Sequence, residues 1–371
     1  MRVARIGVLV GALGATFARA QDAGLAPATE ITMDRLVVTA TGWESQMAET
    51  SPSISVVTGE QLERKQVTTV ADALREVPGV AVSESGPRGS TTSVFLRGAD
   101  SDQVLVLIDG IEVNSTTAGF FDFSNLTPEN IERIEVLRGW GGTLYGSEAI
   151  GGVIQIFTRR GEGPPRGSVS AAGGNAYTDR EVADVSGRSG IFSYSAAASH
   201  IRSEGFKPEN DDYENTVVSG RVDADVGQDA RSGVVFRLGS AEFGNFFSNN
   251  FLAAPDPNAR QEDAFAAGRG EWSHRPLRNL EYRLAVSYAR DDLEFRDRPD
   301  ETETGSTDSD FLSEVLSGDV QSNLSWWEDA VQSIFGMEVE TRSGDVDSVS
   351  SDPTFGTFAS DFDRTVRTVS G

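Results

Sequence analysis

The sequence has 371 residues, a formal net charge of -25 and a sequence pI near 4.4. That balance argues against nucleic acid as a partner class, because its binders are usually basic. With no cysteine, disulfides, thiolate metal sites and cysteine nucleophiles are excluded, and with histidine only at His200 and His274 chemistry built on several imidazoles is disfavoured.

Arg2 and Arg5 make a basic start, Ile6 to Phe17 is an apolar and small-residue run, and Ala18-Arg19-Ala20 is an A-x-A site. This pattern predicts a signal peptide cleaved after Ala20, with a short buried helix as the alternative. No later apolar run reaches the ~20 residues of a spanning helix, so a membrane role would have to use strands. Gln21 to Met33 reads as a polar tether. Asp34, Arg35, Leu36, Val37, Val38, Thr39 and Ala40 follow, with a β-branched centre that favours an extended chain. Such a segment can add as a strand to a partner's sheet edge; taken alone, it fits an ordinary edge strand as well.

From Thr41 to about Gly161 the pattern is mixed α and β. Thr58 to Gln61 has capping-box spacing and predicts a helix to about Lys65. Thr69 to Asp72 opens a second, with Val70, Ala73, Leu74 and Val77 on one face and Pro78-Gly79 as its stop. Val104 to Ile108 is a continuous apolar run, expected to be buried on both faces. Asp109-Gly110 turns it into Ile111 to Val113 as a hairpin. Thr127-Pro128 predicts a helix N-cap with proline at the first helical position. Ile134 to Leu137 and Val153 to Phe157 complete the strands.

Beyond the linker Gly161 to Pro165 the pattern changes to long alternation. In Glu281 to Arg290 the even positions Tyr282, Leu284, Val286 and Tyr288 are apolar. In Asn215 to Val226 the even positions are small or apolar, while the odd ones include Ser219, Arg221, Asp223 and Asp225. Val331, Phe335, Met337 and Val339 repeat the pattern, and Trp326 and Trp327 fit an interfacial girdle. Strands of ~10 residues, apolar out and polar in, are the signature of a membrane barrel, though a soluble sandwich would alternate too.

With these elements in place, the sequence resembles the TonB-dependent receptor family, and most its cobalamin-receptor branch. DRLVVTA at Asp34 to Ala40 resembles the TonB box. VADALREVPGV at Val70 to Val80, FLRG at Phe95 to Gly98 and LVLIDG at Leu105 to Gly110 resemble plug segments. IERIEVLRG at Ile131 to Gly139 and LYGSEAIGGVIQIFTRRG at Leu144 to Gly161 resemble the plug's closing signature. Six motifs in order cover Asp34 to Gly161; the rest matches only in style. The family usually has proline where Trp140 stands and serine where Gly142 stands.

The resemblance implies an α+β plug domain followed by an antiparallel membrane β-barrel. The expected domains are a signal peptide over 1–20, a tether with TonB box over 21–40, a plug over 41–161 and barrel strands over 162–371. The plug signature residues are Arg97, Gly98, Asp109, Gly110, Arg138, Gly139, Tyr145, Gly146, Gly151 and Gly152. The glycines are expected at positive φ or close contacts, and Arg97 and Arg138 opposite carboxylates of the plug or inner wall. By analogy with the cobalamin branch, two small polar loops face ligand: Ser85, Gly86, Pro87 and Arg88, and Asn114, Ser115, Thr116 and Thr117. Plain solvated turns are the alternative. Asn210, Asp211 and Asp212 supply hard oxygen atoms for a candidate structural calcium; no other cofactor is expected.

The implied function is import of a scarce ligand across the outer membrane, powered by the periplasmic TonB protein. The ligand is expected to be a corrinoid, with a ferric siderophore as runner-up. An enzyme would need more than two strand-borne histidines, and Gly139-Trp140-Gly141-Gly142 is not a dinucleotide fingerprint. A passive porin would need neither plug nor TonB box. Large plugged barrels have about 22 strands, whereas the ~210 residues after the plug suffice for about ten. The sequence therefore reads as C-terminally truncated, and a non-transporting fragment is the third rival.

Overall fold

The computed structural model describes residues 36–37, 45–46, 53–139, 145–206, 210–245, 256–300, 304–326, 331–352 and 356–370. The chain divides into Met1–Arg35 and Leu36–Gly371. The expected signal peptide, the tether and Asp34, Arg35, Val38, Thr39 and Ala40 of the TonB box lie outside the described residues, as do Trp140, Gly142 and Trp327.

Two short strands, β1 (Leu36–Val37) and β2 (Ser45–Gln46), pair antiparallel, with Leu36 opposite Gln46 and Val37 opposite Ser45. β3 (Ile54–Thr58) leads into α1 (Gly59–Lys65), where Thr58 and Gln61 form the expected reciprocal capping box at 3.3 and 2.9 Å. Thr69 and Asp72 do the same for α2 (Val70–Leu74). Val70, Ala73, Leu74 and Val77 are all buried, but the helix ends at Leu74 and a turn carries Val77 inward. β4 (Val80–Glu84) and β5 (Thr92–Leu96) form a separate hairpin. β6 (Val104–Ile108) is buried throughout because its two faces enter two clusters. Val104, Val106 and Ile108 join the main core; Leu105 and Leu107 pack with Leu137 and Val153. β7 (Ile111–Glu112) closes the expected hairpin, and β8 (Ile131–Arg138) and β9 (Gly152–Thr158) complete a mixed sheet of order β3-β8-β9-β6-β7, with β6 and β9 parallel.

Thr127-Pro128 does not start a helix. One turn closes from the Ile131 amide to the Pro128 carbonyl, and Asn130 at φ 61 leads straight into β8. The would-be cap is engaged elsewhere: Arg237 donates to both the carbonyl and the hydroxyl of Thr127, at 2.8 and 3.0 Å.

After the linker a ten-stranded antiparallel meander follows in chain order. It runs through β10 (Arg166–Gly173), β11 (Asp179–Ser189), β12 (Phe192–Ser203), β13 (Tyr213–Val226), β14 (Ala230–Gly244), β15 (Arg260–Leu277), β16 (Leu280–Asp297), β17 (Ser306–Trp326), β18 (Val331–Asp352) and β19 (Gly356–Ser370). Among the described residues β10 and β19 are its edges, and no helix follows β9 beyond the plug. At one end, the turn end, successive strands are separated by two to four residues (190–191, 227–229, 278–279 and 327–330); at the other, the loop end, by five to fifteen (174–178, 204–212, 245–259 and 298–305), apart from the three between β18 and β19.

Alternation sorts the two faces. On β16 Tyr282, Leu284, Val286 and Tyr288 are exposed, while Ala285, Ser287 and Ala289 are buried. Val222, Val234, Phe236, Leu238, Leu316, Val320, Trp326, Phe335, Met337 and Val339 extend the exposed apolar face. The opposite face meets the plug: Val235, Ala267, Ala289 and Val315 belong to the same core cluster as the plug's Leu74, Ile108 and Ile154. An apolar outside over a polar, packed inside is the reverse of a soluble sheet and suits lipid.

Candidate functional site: the seam between plug and sheet

The hairpin tip at Asp109 and Gly110 reaches the sheet's inner face. Arg221 on β13 is the central cation there. It pairs bidentately with Asp223 at 2.7 and 2.9 Å, with Glu271 at 2.8 Å and with Asp109 at 3.3 Å. One guanidinium thus serves three carboxylates, its planar fork matching Asp223 while its edges reach the others. Burial raises the Asp109 carboxyl above its usual range; Arg221 and the Thr158 amide, 3.0 Å away, pull it back. Beside it Arg269 donates to the Gly110 carbonyl at 3.4 Å, to Ser287 at 2.8 Å, and pairs with Asp319 at 2.9 Å. Gly110, at φ 79, takes the left-handed backbone that favours glycine, with that guanidinium 3.6 Å from where a Cβ would stand.

A second junction joins β18 to two plug segments. Arg342 pairs with Glu112 of β7 at 2.7 Å, with Glu148 of the 3-10 turn Ser147–Ala149, and with Glu340 of its own strand. Glu112 keeps a proton, its pKa pushed up to about 9, first by burial and then by its hydrogen bond with Glu148, against the pull of Arg342. Glu148 is correspondingly the ionised partner, held below its usual value by Glu112 and Arg342 although burial opposes this. Because the folded pKa of Glu112 lies above its ordinary 4.5, its contribution to stability is full below pH 4.5 and is lost as pH rises toward about 9. Glu112→Gln, which copies the protonated form, should therefore leave plug docking nearly unchanged and flatten that alkaline loss. Glu148→Gln should weaken docking by about 1 kcal/mol, a value discounted for its partial exposure. Urea unfolding of the plug, followed by limited proteolysis between pH 5 and pH 9, checks both.

Further contacts hold the rest of the plug. Arg180 on β11 pairs with Glu129, and Asn125 donates to Asp263 at 2.8 Å while its own oxygen accepts from Tyr213 at 3.1 Å. Toward the loop end, the segment Ser85, Gly86, Pro87 and Arg88 is a turn whose Ser85 and Arg88 are exposed. Arg88 lies over the Tyr213 ring at 5.7 Å, and Gly89 packs on Phe243.

The second predicted ligand loop is placed differently. Asn114 is buried, its amide bridging the Val104 carbonyl and the Val106 N–H of β6 at 2.9 and 2.8 Å. Ser115 bonds to Thr117 at 2.9 Å, and Thr116 docks on Ser313 and on the Ser343 carbonyl, each at 2.8 Å. Asn114 and Thr116 are thus engaged as internal struts, since a buried polar group must find partners.

The signature arginines also differ from expectation. Arg138 donates not to carboxylates but to the Ser53 carbonyl at 3.0 Å, to Ser55 at 2.8 Å and to the Pro78 carbonyl. It ties the N-terminal end of β3 to the turn after α2. Arg97, at φ 52 and exposed, reaches Ser53 at 3.5 Å among the described residues. The glycines match the physical reasons given for them. Gly98, Gly139 and Gly146 have φ of 83, 88 and 79. Gly152 is the most constrained: a Cβ there would sit 2.2 Å from the Leu137 carbonyl oxygen, and one on Gly151 would sit 2.6 Å from Ala99. Tyr145 packs beside Val153 with its hydroxyl 3.4 Å from Gln155.

The calcium candidates are already engaged. Arg260 grips Asp212 through two bonds at 3.2 and 2.8 Å, Asp211 accepts from the Phe206 amide at 3.0 Å, and the Asn210 amide donates to Ala259 at 2.7 Å. Among the described residues no group of three or more His, Asp or Glu side chains is arranged to hold a metal ion. The wall residues Arg221, Arg237, Arg269 and Arg342 escaped sequence reasoning. Their one signal is a basic residue on the polar, inward series of an alternating strand.

Residues 46–153 match the profile of the TonB-dependent Receptor Plug Domain. The fold agrees with solved receptors. One is the P. aeruginosa FpvA bound to heterologous pyoverdines (TM-score 0.71, 17% identity, 87% of this chain, 46% of that one). Another is BauA, the ferric preacinetobactin receptor from Acinetobacter baumannii (TM-score 0.70, 15% identity, 88% and 52%). Residues 46–153 thus match a TonB-dependent receptor plug domain, and the strands that follow share the fold of such receptors. Within that class the chain resembles the vitamin B12 transporters BtuB of Vibrio vulnificus, at 43% identity over 151 residues, and of Photobacterium profundum, at 38% over 208. These alignments take in 41% and 54% of this chain but only 25% and 34% of those relatives' length.

Proposed function

We propose that the protein imports a corrinoid across the outer membrane, drawing work from the TonB protein through the segment Asp34 to Ala40. The observation that carries this reading is a plug held on the inner wall by discrete arginine contacts: ion pairs at Asp109, Glu129 and Glu148 and a hydrogen bond to Glu112. A permanently open pore has no use for such an occluding domain. A transporter that must open on demand does, and ion pairs are contacts that a pull can break one after another. Short connections mark the periplasmic side and long ones the outside in outer-membrane barrels, so the Arg88 loop faces the medium where ligand arrives. The β1–β2 pairing supports strand addition, because Leu36 and Val37 already adopt extended backbone against a neighbour.

Corrinoid is preferred over ferric siderophore because the similarity to vitamin B12 transporters reaches 43% and 38% identity over 151 and 208 residues, whereas likeness to the siderophore receptors rests on fold. The test is uptake of radiolabelled cobalamin by cells lacking their own cobalamin receptor and expressing this gene at full length. Saturable uptake that excess ferric siderophore leaves unchanged is expected. Siderophore-supported growth without cobalamin uptake would reverse the order.

A further inference from the structure

Toward the loop end, β16 to β19 break the rule that the inner series of a barrel strand is polar. Ser313 and Arg342 reach the plug, so odd positions of β17 and even positions of β18 point inward. Phe265, Asp291, Ser313 and Gly344 share one register row, and there the plug docks. Phe265 packs on the plug core, Thr116 bonds to Ser313, and a Cβ on Gly344 would stand 2.8 Å from the Thr116 hydroxyl. The next inward row toward the loop end is Leu293, Phe311, Val346 and Phe362, one from each strand. None of the four joins the plug–wall core cluster. Leu293, Phe311 and Val346 are half-buried, and Phe362 is 47% exposed. At ~4.8 Å between strands the row is about 15 Å long, with all four side chains on one face.

Polar groups border this strip on both sides. Ser309, Ser348 and Ser360 form the row above it, with Ser309 and Ser348 joined at 2.6 Å. Each hydroxyl keeps capacity for a further hydrogen bond. Below it lie Thr116 and Thr117 of the plug, against Gly344. Cations are scarce. Among the described inner-series residues from the docking row to the loop end of β16 to β19, Arg364 is the one cation, against the carboxyls of Asp291, Asp297 and Asp352. In sequence, residues 290–314 hold ten Asp and Glu against three Arg. A wall of that sign repels a polyanion. An accessible apolar strip between polar borders is the pattern of a ligand groove.

We propose that Leu293, Phe311, Val346 and Phe362 form a strip that receives the apolar surface of the imported macrocycle, while the serine row and the Thr116–Thr117 loop hydrogen-bond its amides. The inference rests on the corrinoid reading above and adds which part of the wall selects that ligand. A corrinoid is a broad ring that carries methyl groups among its edge amides. In cobalamin it bears a single phosphodiester, which one arginine, Arg364, can serve. A ferric tris-catecholate is compact and carries three negative charges. This part of the wall has neither the cations nor the sign of charge to hold it. Shape and charge of the strip thus sort ligands before the plug moves.

Equilibrium dialysis of cyanocobalamin against the full-length receptor in detergent tests the strip. Phe311→Ser and Phe362→Ser are each expected to raise Kd roughly tenfold, the effect of losing about half a phenylalanine's burial. Phe311→Leu keeps an apolar surface and should stay within about threefold. Leu316→Ser, on the outward series of the same strand, should stay within about twofold. A ferric tris-catecholate should bind the unmodified receptor at least ~100-fold more weakly than cyanocobalamin does. Heat-modifiable gel mobility reports folding of each variant. Phe362 is nearly half exposed, so its replacement opens no core and remains decisive if Phe311→Ser does not fold. An unchanged Kd in either folded serine variant overturns the strip and leaves the corrinoid reading standing. An unmodified receptor that fails to bind cyanocobalamin, or binds the catecholate more tightly, overturns both.

Discussion

Arg221→Met is expected to loosen the plug from the wall by about 3–5 kcal/mol, the usual cost of leaving buried charge without its partner. The side chains of Arg221, Asp109 and Asp223 are 6%, 3% and 5% exposed, so water cannot take over the lost role. Methionine fills similar volume, so the effect reports charge and not a cavity. Arg221→Lys should fall between, because a single ammonium cannot make the bidentate pair with Asp223 and still reach Asp109 and Glu271. Adding Asp109→Asn to Arg221→Met should recover part of the loss, since the orphaned carboxylate is then neutral while an oxygen remains for the Thr158 amide. Urea titration of the full chain in detergent, with protease cleavage of the plug as readout, measures each step. Less than ~1 kcal/mol for Arg221→Met would mean the seam is held by packing alone.

Local physics was readable from the sequence, and long-range pairing was not. Both capping boxes, the buried run Val104 to Ile108 and the Asp109-Gly110 hairpin follow from residues within a few positions of one another, and each takes its predicted form. The alternation of Glu281 to Arg290 predicted which side chains turn outward. Thr127-Pro128 carried a sound local signal that Arg237, 110 positions away, overrode by taking the Thr127 oxygens. Asn114 read as a recognition residue because small polar loops do, yet it satisfies the backbone of β6. Arg138 was expected opposite a carboxylate, but backbone carbonyls at the end of β3 and after Pro78 already offer three acceptors with Ser55. Contacts such as Arg342 with Glu112, separated by 230 positions, leave no local signature beyond a cation on an inward series.

The seam also bears on how an importer can be both tight and releasable. Arg221, Arg269 and Arg342 touch the β6–β7 hairpin and the 3-10 turn near Glu148 at separate points. A pull that reaches Ser53 from the N-terminal side bears on Arg138, because that side chain bonds to both the Ser53 carbonyl and Ser55. Load would then pass along β3 into β8, its sheet neighbour. Sequential failure of a few ion pairs demands less force than simultaneous failure of the whole interface.

Energy transfer through Asp34 to Ala40 is the central claim, and one paired measurement tests it most directly. Val37→Pro removes an amide donor from β1 and blocks edge-on strand addition, while leaving the Arg88 loop and the seam untouched. Cobalamin binding to cells and cobalamin uptake into them are measured side by side for the full-length receptor and this variant. The account predicts unchanged binding with uptake reduced to the level of cells lacking TonB. Uptake equal to that of the unmodified receptor would contradict it.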